Sequence, residues 1–193
     1  MRADVLPPQP WAAAVANPGN VDTMTAIRWT PDMSVGVESL DADHQCLLDI
    51  LNRLDVAIAA GTGSDAIAGV LDRLRDYVTY HFAREERLMR AAGYPDLDTH
   101  MRAHAVLERQ IGDIRQRHLG NPEAIRDRAV LGFLVAWLTT HIMGRDKLYA
   151  PFLSGNPAAA ADSGAGDADA ACADPGDGLA PPTRELWVKE PET

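Results

Sequence analysis

Aromatic side chains are scarce in this chain, 6% of its 193 residues, and there are only two cysteines. Without large rings, the core has to be built from Leu, Ile, Val and Ala, whose runs recur with a helical period; helices packed on helices are expected. Cys46 and Cys172 lie far apart, so they supply neither a disulfide framework nor a Cys-x-x-Cys metal site, and a reduced, cytoplasmic setting is the expectation. Nor is there an apolar run of the roughly 18 to 20 residues that a membrane span needs. The leader contains "WAAAVANP", with an Ala-x-Ala look, but its apolar run is short and "PPQP" interrupts the approach, which argues against a signal peptide. Basic runs are missing as well. The formal net charge is −10, and residues 155–193 alone carry eight acidic against two basic residues (Arg184, Lys189). A chain with that balance does not fit nucleic acid as a partner.

What is present is 46% hydrophobic residues, enough for one well-formed core. Residues 1–23 are rich in Pro and Ala without a period and read as a disordered leader. A first helical stripe runs from Ser39 through Leu40, His44, Leu47, Leu48, Leu51, Leu54 and Ile58, and stops at "GTGS", where Ser64 can serve as the next N-cap. A second carries Ile67, Val70, Leu71, Leu74, Val78, His81, Glu85, Leu88 and Met89. A third, capped by Asp96 or Asp98, carries Leu97, His100, His104, Leu107, Ile111 and Ile114, and closes near "HLGNP". The fourth runs through Ile125, Leu131, Leu134, Leu138, His141, Ile142 and Leu148 up to Pro151. Four such stripes with short connections predict an all-α, antiparallel up-down-up-down four-helix bundle over residues 24–153. Residues 154–193 are expected to be a disordered, acidic, low-complexity tail, broken only by "RELWVKE", a candidate docking peptide.

Five of the six histidines (His44, His81, His100, His104, His141) fall on the apolar stripes, together with two carboxylate candidates, Glu85 and Asp146. One such histidine is usually a hydrogen-bonded core residue. Five of them need a shared partner, because burying imidazoles unpaired is costly, and a bound metal supplies it. At about 100° per residue, positions i and i+4 lie roughly 40° apart and one turn along. His81 with Glu85, and His100 with His104, can therefore each aim two donors at one point. His141 and Asp146 are five apart, about 140° in an ideal helix, so one ligand reaches sideways or the helix distorts there. Seven donors exceed the four that one zinc takes and suit two first-row metal ions bridged by carboxylates. His118, at the end of the third helix, sits where a cation favours the helix dipole and is left out of the metal set. Cys46 reads as a small buried residue, and Glu86, about 100° round from Glu85, as a surface or supporting group.

These residues resemble the hemerythrin family, most of all its single-domain bacterial members. The family pattern is a His, then His-x-x-x-Glu, His-x-x-x-His and His-x-x-x-x-Asp; here it reads His44, "HFARE", "HMRAH" and "HIMGRD" over about residues 27–152. Myohemerythrin is itself an up-down bundle, so the family implies the same architecture. The resemblance implies two iron ions, one held by His100, His104 and His141, the other by His44 and His81, bridged by Glu85, Asp146 and an oxo or hydroxo group. It also accounts for the five-residue spacing of His141 and Asp146. Dioxygen would bind reversibly at an open position on the two-histidine iron, beside a pocket that Trp137, Leu138 and Ile142 in "WLTTHI" resemble. Asp43 stands where relatives often have glutamine. The function implied is that of a dioxygen carrier, store or local supplier, not an enzyme, acting as a monomer towards an oxygen-consuming recipient. A di-iron oxidase or peroxide-handling protein, and an oxygen or redox sensor, are the alternatives using the same site.

Overall fold

The computed structural model describes residues 27–121, 128–162 and 172. The leader expected at 1–23 and, apart from Cys172, the tail beyond Asp162 lie outside the described residues. Helix α1 spans Glu38–Ala59, α2 Ser64–Ala91 and α3 Leu97–Gly120. The fourth rod begins as α4 (Arg128–Thr140), passes through a π-helical segment (His141–Asp146) and ends as α5 (Lys147–Leu153). Helix α1 packs on α2 and α4, and α2 on α3. Connections of a few residues force consecutive helices antiparallel, as the stripes predict. Gly61 (φ 61°) and Gly93 (φ 68°) supply the left-handed residue just past α1 and α2. After Gly93 the Tyr94 amide returns to the Met89 carbonyl at 3.0 Å, closing the helix end.

On α1 to α3 the expected stripes are the buried faces, with Leu40, Leu48, Leu71, Leu88 and Ile111 among the side chains almost fully removed from water. The fourth rod departs from expectation. Leu148, placed on the apolar stripe by its spacing, is 61% exposed, whereas its neighbour Tyr149 is fully buried. The π segment is the reason. Its i→i+5 hydrogen bonds insert one residue into the turn, so every side chain after it is displaced by one position relative to the α-helical phase. Tyr149 and Leu153 consequently enter the core, and Leu148 and Phe152 face outward.

Two further features were not expected. Gly63 is the N-cap of α2, and Ser64 is its first helical residue. Ser64 instead meets His118, whose Nε2 donates to the Ser64 carbonyl oxygen (2.8 Å) and lies 3.1 Å from its hydroxyl. Fully buried, His118 ties the end of α3 to the start of α2, about 25 Å along α2 from His81 at 1.5 Å per residue. The ordered chain also continues past 153. Asn156 caps a short helix α6 (Pro157–Ala161), with its side chain accepting from the Ala158 amide. Ala159 of α6 packs into the apolar cluster of Val35, Leu40, Met89 and Tyr149. Asp162, read from sequence as solvating charge, joins Ser39, Arg84 and Arg87. Finally, Cys46 is paired with Cys172 as a disulfide, Cα atoms 5.7 Å apart. The expectation of two unpaired thiols is corrected here: 126 residues separate them along the chain, and the fold carries the second back to α1.

At the other end, the segment before α1 is clamped to it. Asn52 accepts from the Ile27 amide (2.8 Å) and donates to the Ile27 carbonyl (3.0 Å). Asp41, in the first turn of α1, accepts from the Ser34 hydroxyl (2.5 Å) and the Val35 amide (2.7 Å). These bonds hold Trp29 with its ring centroid 6.3 Å from that of His44. Among the described residues, no helix is long and apolar enough to cross a membrane.

Candidate metal centre

His44, His81, Glu85, His100, His104, His141 and Asp146 are all buried, and they meet in one layer of the bundle. One layer below, the apolar cluster of Leu40, Leu88, Met89, Tyr94 and Tyr149 closes the bundle. Above, the main core of Leu47, Leu51, Leu74, Phe82, Leu138 and Ile142 does the same. Each helix contributes through its local periodicity, and the π segment solves the five-residue problem by bringing His141 and Asp146 to one side, Nε2 to Oδ1 at 3.1 Å.

The donor atoms fall into two groups, each with its atoms within 4.8 Å of one another: Glu85, His100, His104 and His141 in one, His44, His81 and Glu85 in the other. Glu85 belongs to both. Its Oε2 lies 3.0 Å from His104 Nε2 and 3.4 Å from His100 Nε2. Asp146 also spans them, 3.4 Å from His44 Nε2 and 3.5 Å from His100 Nε2. Yet Glu85 Oε2, His44 Nε2, His100 Nε2 and both Asp146 oxygens make no hydrogen bond despite full burial. Buried polar atoms without partners cost about 1–3 kcal/mol each. Inward-facing imidazole nitrogens and carboxylate oxygens are the atoms that first-row metal ions take up. The residues therefore fit a pair of such ions.

Charge distribution agrees. Burial pushes the Glu85 carboxyl up, but His100, His104 and His81 together outweigh it and hold the group well below the usual carboxylate range. In Asp146, burial and the neighbouring Glu85 push up, and His141 and His44 bring it below its ordinary value. Both are thus anions when the site forms. Burial pulls His44 down, and Asp146 and Glu85 more than reverse this.

Two supporting residues, Tyr149 and Phe82, had no local signal in the sequence. Tyr149 donates its hydroxyl to Glu85 Oε1, which orients Oε2 towards the histidines. Burial and the adjacent Glu85 and Asp146 keep that phenol well above its ordinary range, so it remains a donor. Glu86 lies 2.8 Å from His104 Nδ1, the supporting place that its angle allowed. Phe82 stacks on His104 with centroids 3.6 Å apart, and Trp137 on His141 at 4.4 Å. Trp137 and Leu138 also wall a small apolar cavity of about 20 Å³ with Leu47, Leu51, Val78 and Leu134, while Ile142 is fully buried next to His141. Its lining offers a water molecule no hydrogen-bond partner.

The chain matches the family model described as the hemerythrin HHE cation binding domain over residues 35–153. It belongs to the hemerythrin family. A hemerythrin domain is a di-iron, dioxygen-binding domain, and the clustered histidines and carboxylates here can hold metal. Among curated proteins this hemerythrin is 35% identical to the bacteriohemerythrin of Stenotrophomonas maltophilia, over 66% of the present chain and 81% of that one. It is 35% identical to the bacteriohemerythrin of Methylococcus capsulatus, over 68% and 99%. A solved structure of a wild-type hemerythrin superposes with a TM-score of 0.62 at 33% identity, covering 67% of this chain and 99% of that one. The chain is thus of the bacteriohemerythrin type, with extensions on either side of the shared domain.

Proposed function

We propose that this hemerythrin binds dioxygen reversibly, as a carrier, store or local supplier. In this reading His100, His104 and His141 would hold one iron and His44 and His81 the other, with Glu85 and Asp146 shared between the two groups. Bound there, an iron pair would supply the two electrons that reversible dioxygen binding requires. The chain's own residues then have three tasks. Tyr149 fixes Glu85 through Oε1. Phe82 and Trp137 hold the rings of His104 and His141 flat against apolar surface. Leu138 and Ile142, one turn before His141 and directly after it, exclude water.

The observation that carries the reversible reading is where hydroxyl protons near the site are directed. Thr139 donates to the Val135 carbonyl oxygen (2.9 Å), away from the cluster, and Thr140 is exposed. Tyr149 donates to Glu85. These three hydroxyls are thus held by another acceptor or lie outside, which favours binding over bond cleavage, since cleavage needs a proton donor within reach.

The test is spectroscopic. The full chain is loaded anaerobically with ferrous iron, exposed to air, then stripped under argon. A ligand-to-iron charge-transfer band that appears with air and vanishes under argon over several cycles is the expected result. Immediate decay to a stable ferric spectrum with release of peroxide would replace this reading by the oxidase one.

A further inference from the structure

Asp43 is a fully buried carboxylate one residue before His44. It accepts from the Tyr77 hydroxyl at 2.8 Å and from Arg84 Nη1 at 2.9 and 3.0 Å, and lies 3.3 Å from His81 Nδ1. Arg84, itself 9% exposed, reaches a second carboxylate: its Nε lies 3.4 Å from Asp162 Oδ2. Asp162 is held in turn by the Ser39 hydroxyl and Arg87 Nη2, both at 2.8 Å. One unbroken path of charge therefore runs from the ring of His81, through Asp43 and Arg84, to the residue that closes α6.

We propose that Asp43 is the positioning residue for His81, and that Arg84 makes its hold on His81 depend on the docking of α6 through Asp162. The inference rests on the reading of His81 as an iron ligand. A ring nitrogen that binds metal must be free of its proton, so the other nitrogen must carry it. Asp43 accepts at Nδ1 and thereby fixes the tautomer with Nε2 facing the cluster. A carboxylate there also turns the ring to a set angle. Such an anion is buried at heavy cost unless a cation accompanies it, and Arg84 is that cation. The guanidinium divides itself between two anions. With Asp162 in place, part of its charge is answered at the surface of the bundle, and Asp43 keeps more of its own for His81. Without Asp162, Arg84 draws on Asp43 alone, and the imidazole becomes a weaker donor. Partners on the other side of the site differ in kind: Glu86, which faces His104, is partly exposed, and among the described residues no cation is hydrogen-bonded to it.

The experiment is an anaerobic titration of the metal-free full chain with ferrous iron, run alongside thermal melting of the same metal-free samples. Three variants are compared: Asp43→Asn, Asp162→Asn and, as a control on the ligand reading, His81→Ala. Expected is a loss of about 10- to 100-fold in the affinity of one of the two ferrous ions in Asp43→Asn, as outer-shell changes produce. A smaller loss at the same ion is expected in Asp162→Asn, with no more than a slight lowering of metal-free melting from the lost contacts to Ser39, Arg84 and Arg87. A purely structural role would shift melting and leave the two affinities alike. If folded Asp43→Asn takes up both ions as the parent does, the positioning role is overturned. Should Asp43→Asn not fold, Asp162→Asn decides, and parent-like binding there overturns the coupling. If His81→Ala itself binds two ions with unchanged affinity, the ligand assignment fails, an outcome separate from either.

Discussion

The two halves of the site use the same ligand types but hold them by different physics. His104 and His141 are braced by flat aromatic neighbours, with Phe82 and Trp137 lying at 3.6 and 4.4 Å between centroids. His81 is braced by a buried ion pair, Asp43 with Arg84, and among the described residues no ring lies flat on it. Stacking depends on shape and apolar burial, so the three-histidine half should answer to changes of volume. An ion pair depends on charge, so the two-histidine half should answer to changes of charge, including charges several residues away. Glu85 and Tyr149 belong to both halves and should not discriminate between them.

Phe82→Ala tests the stacked half most severely. Removing a buried aromatic costs about 3–5 kcal/mol, read as a lower midpoint in urea unfolding of the metal-free chain, and the iron of the three-histidine half should be the one loosened. Equal loosening of both ions would break the contrast. Tyr149→Phe comes next. It leaves Glu85 Oε1 buried without its donor, at about 1–3 kcal/mol, and iron titration should show both ions weakened together. Glu86→Gln should do little. The side chain is 20% exposed, so loss of its charge is worth about 0–1 kcal/mol after screening, and iron affinity should stay near the parent's, unlike that of Asp43→Asn. The smallest effect is one of pH. Burial pushes the Asp162 carboxyl up, but Arg87, Ser39 and Arg84 bring it below its ordinary value. A depressed carboxylate contributes stability that is fully present above its unfolded pKa, about 3.9, and is lost as pH falls through the lower folded value. The acid limb of a stability–pH curve should therefore flatten slightly in Asp162→Asn below about pH 4.

The contrast also marks how far the sequence could be read. The stripes of α1 to α3 and the gathering of the seven candidate ligands follow from residue spacing, because a helix converts sequence period into direction. Legibility ended where a contact depended on two distant segments or on a change of helical phase. Asp43 and Arg84 are 41 residues apart, and no period on α1 reveals which side chain of α2 will meet Asp43. Asp162 lies in a run of Ala, Gly and Asp whose composition reads as solvated tail, yet it neutralises two arginines of α2. Leu148 was placed inward and Tyr149 missed, since a 3.6-residue period carried across His141–Asp146 loses its phase there. That irregular spacing of His141 and Asp146 was itself the one local sign of the change.

An extra residue in a helical turn has a consequence for how such a chain can change over time. Point substitutions alter side chains without altering the count of residues in a turn. The turn from His141 to Asp146 holds one residue more than an ordinary α-helical turn, and a single deletion near the exposed Gly144 would remove it. Such a deletion would leave His141 and Asp146 on one face at a four-residue spacing, with Tyr149 still three places beyond Asp146 and Leu148 still outward. A residue can thus be gained or lost in this one turn without carrying the side chains beyond it off their face.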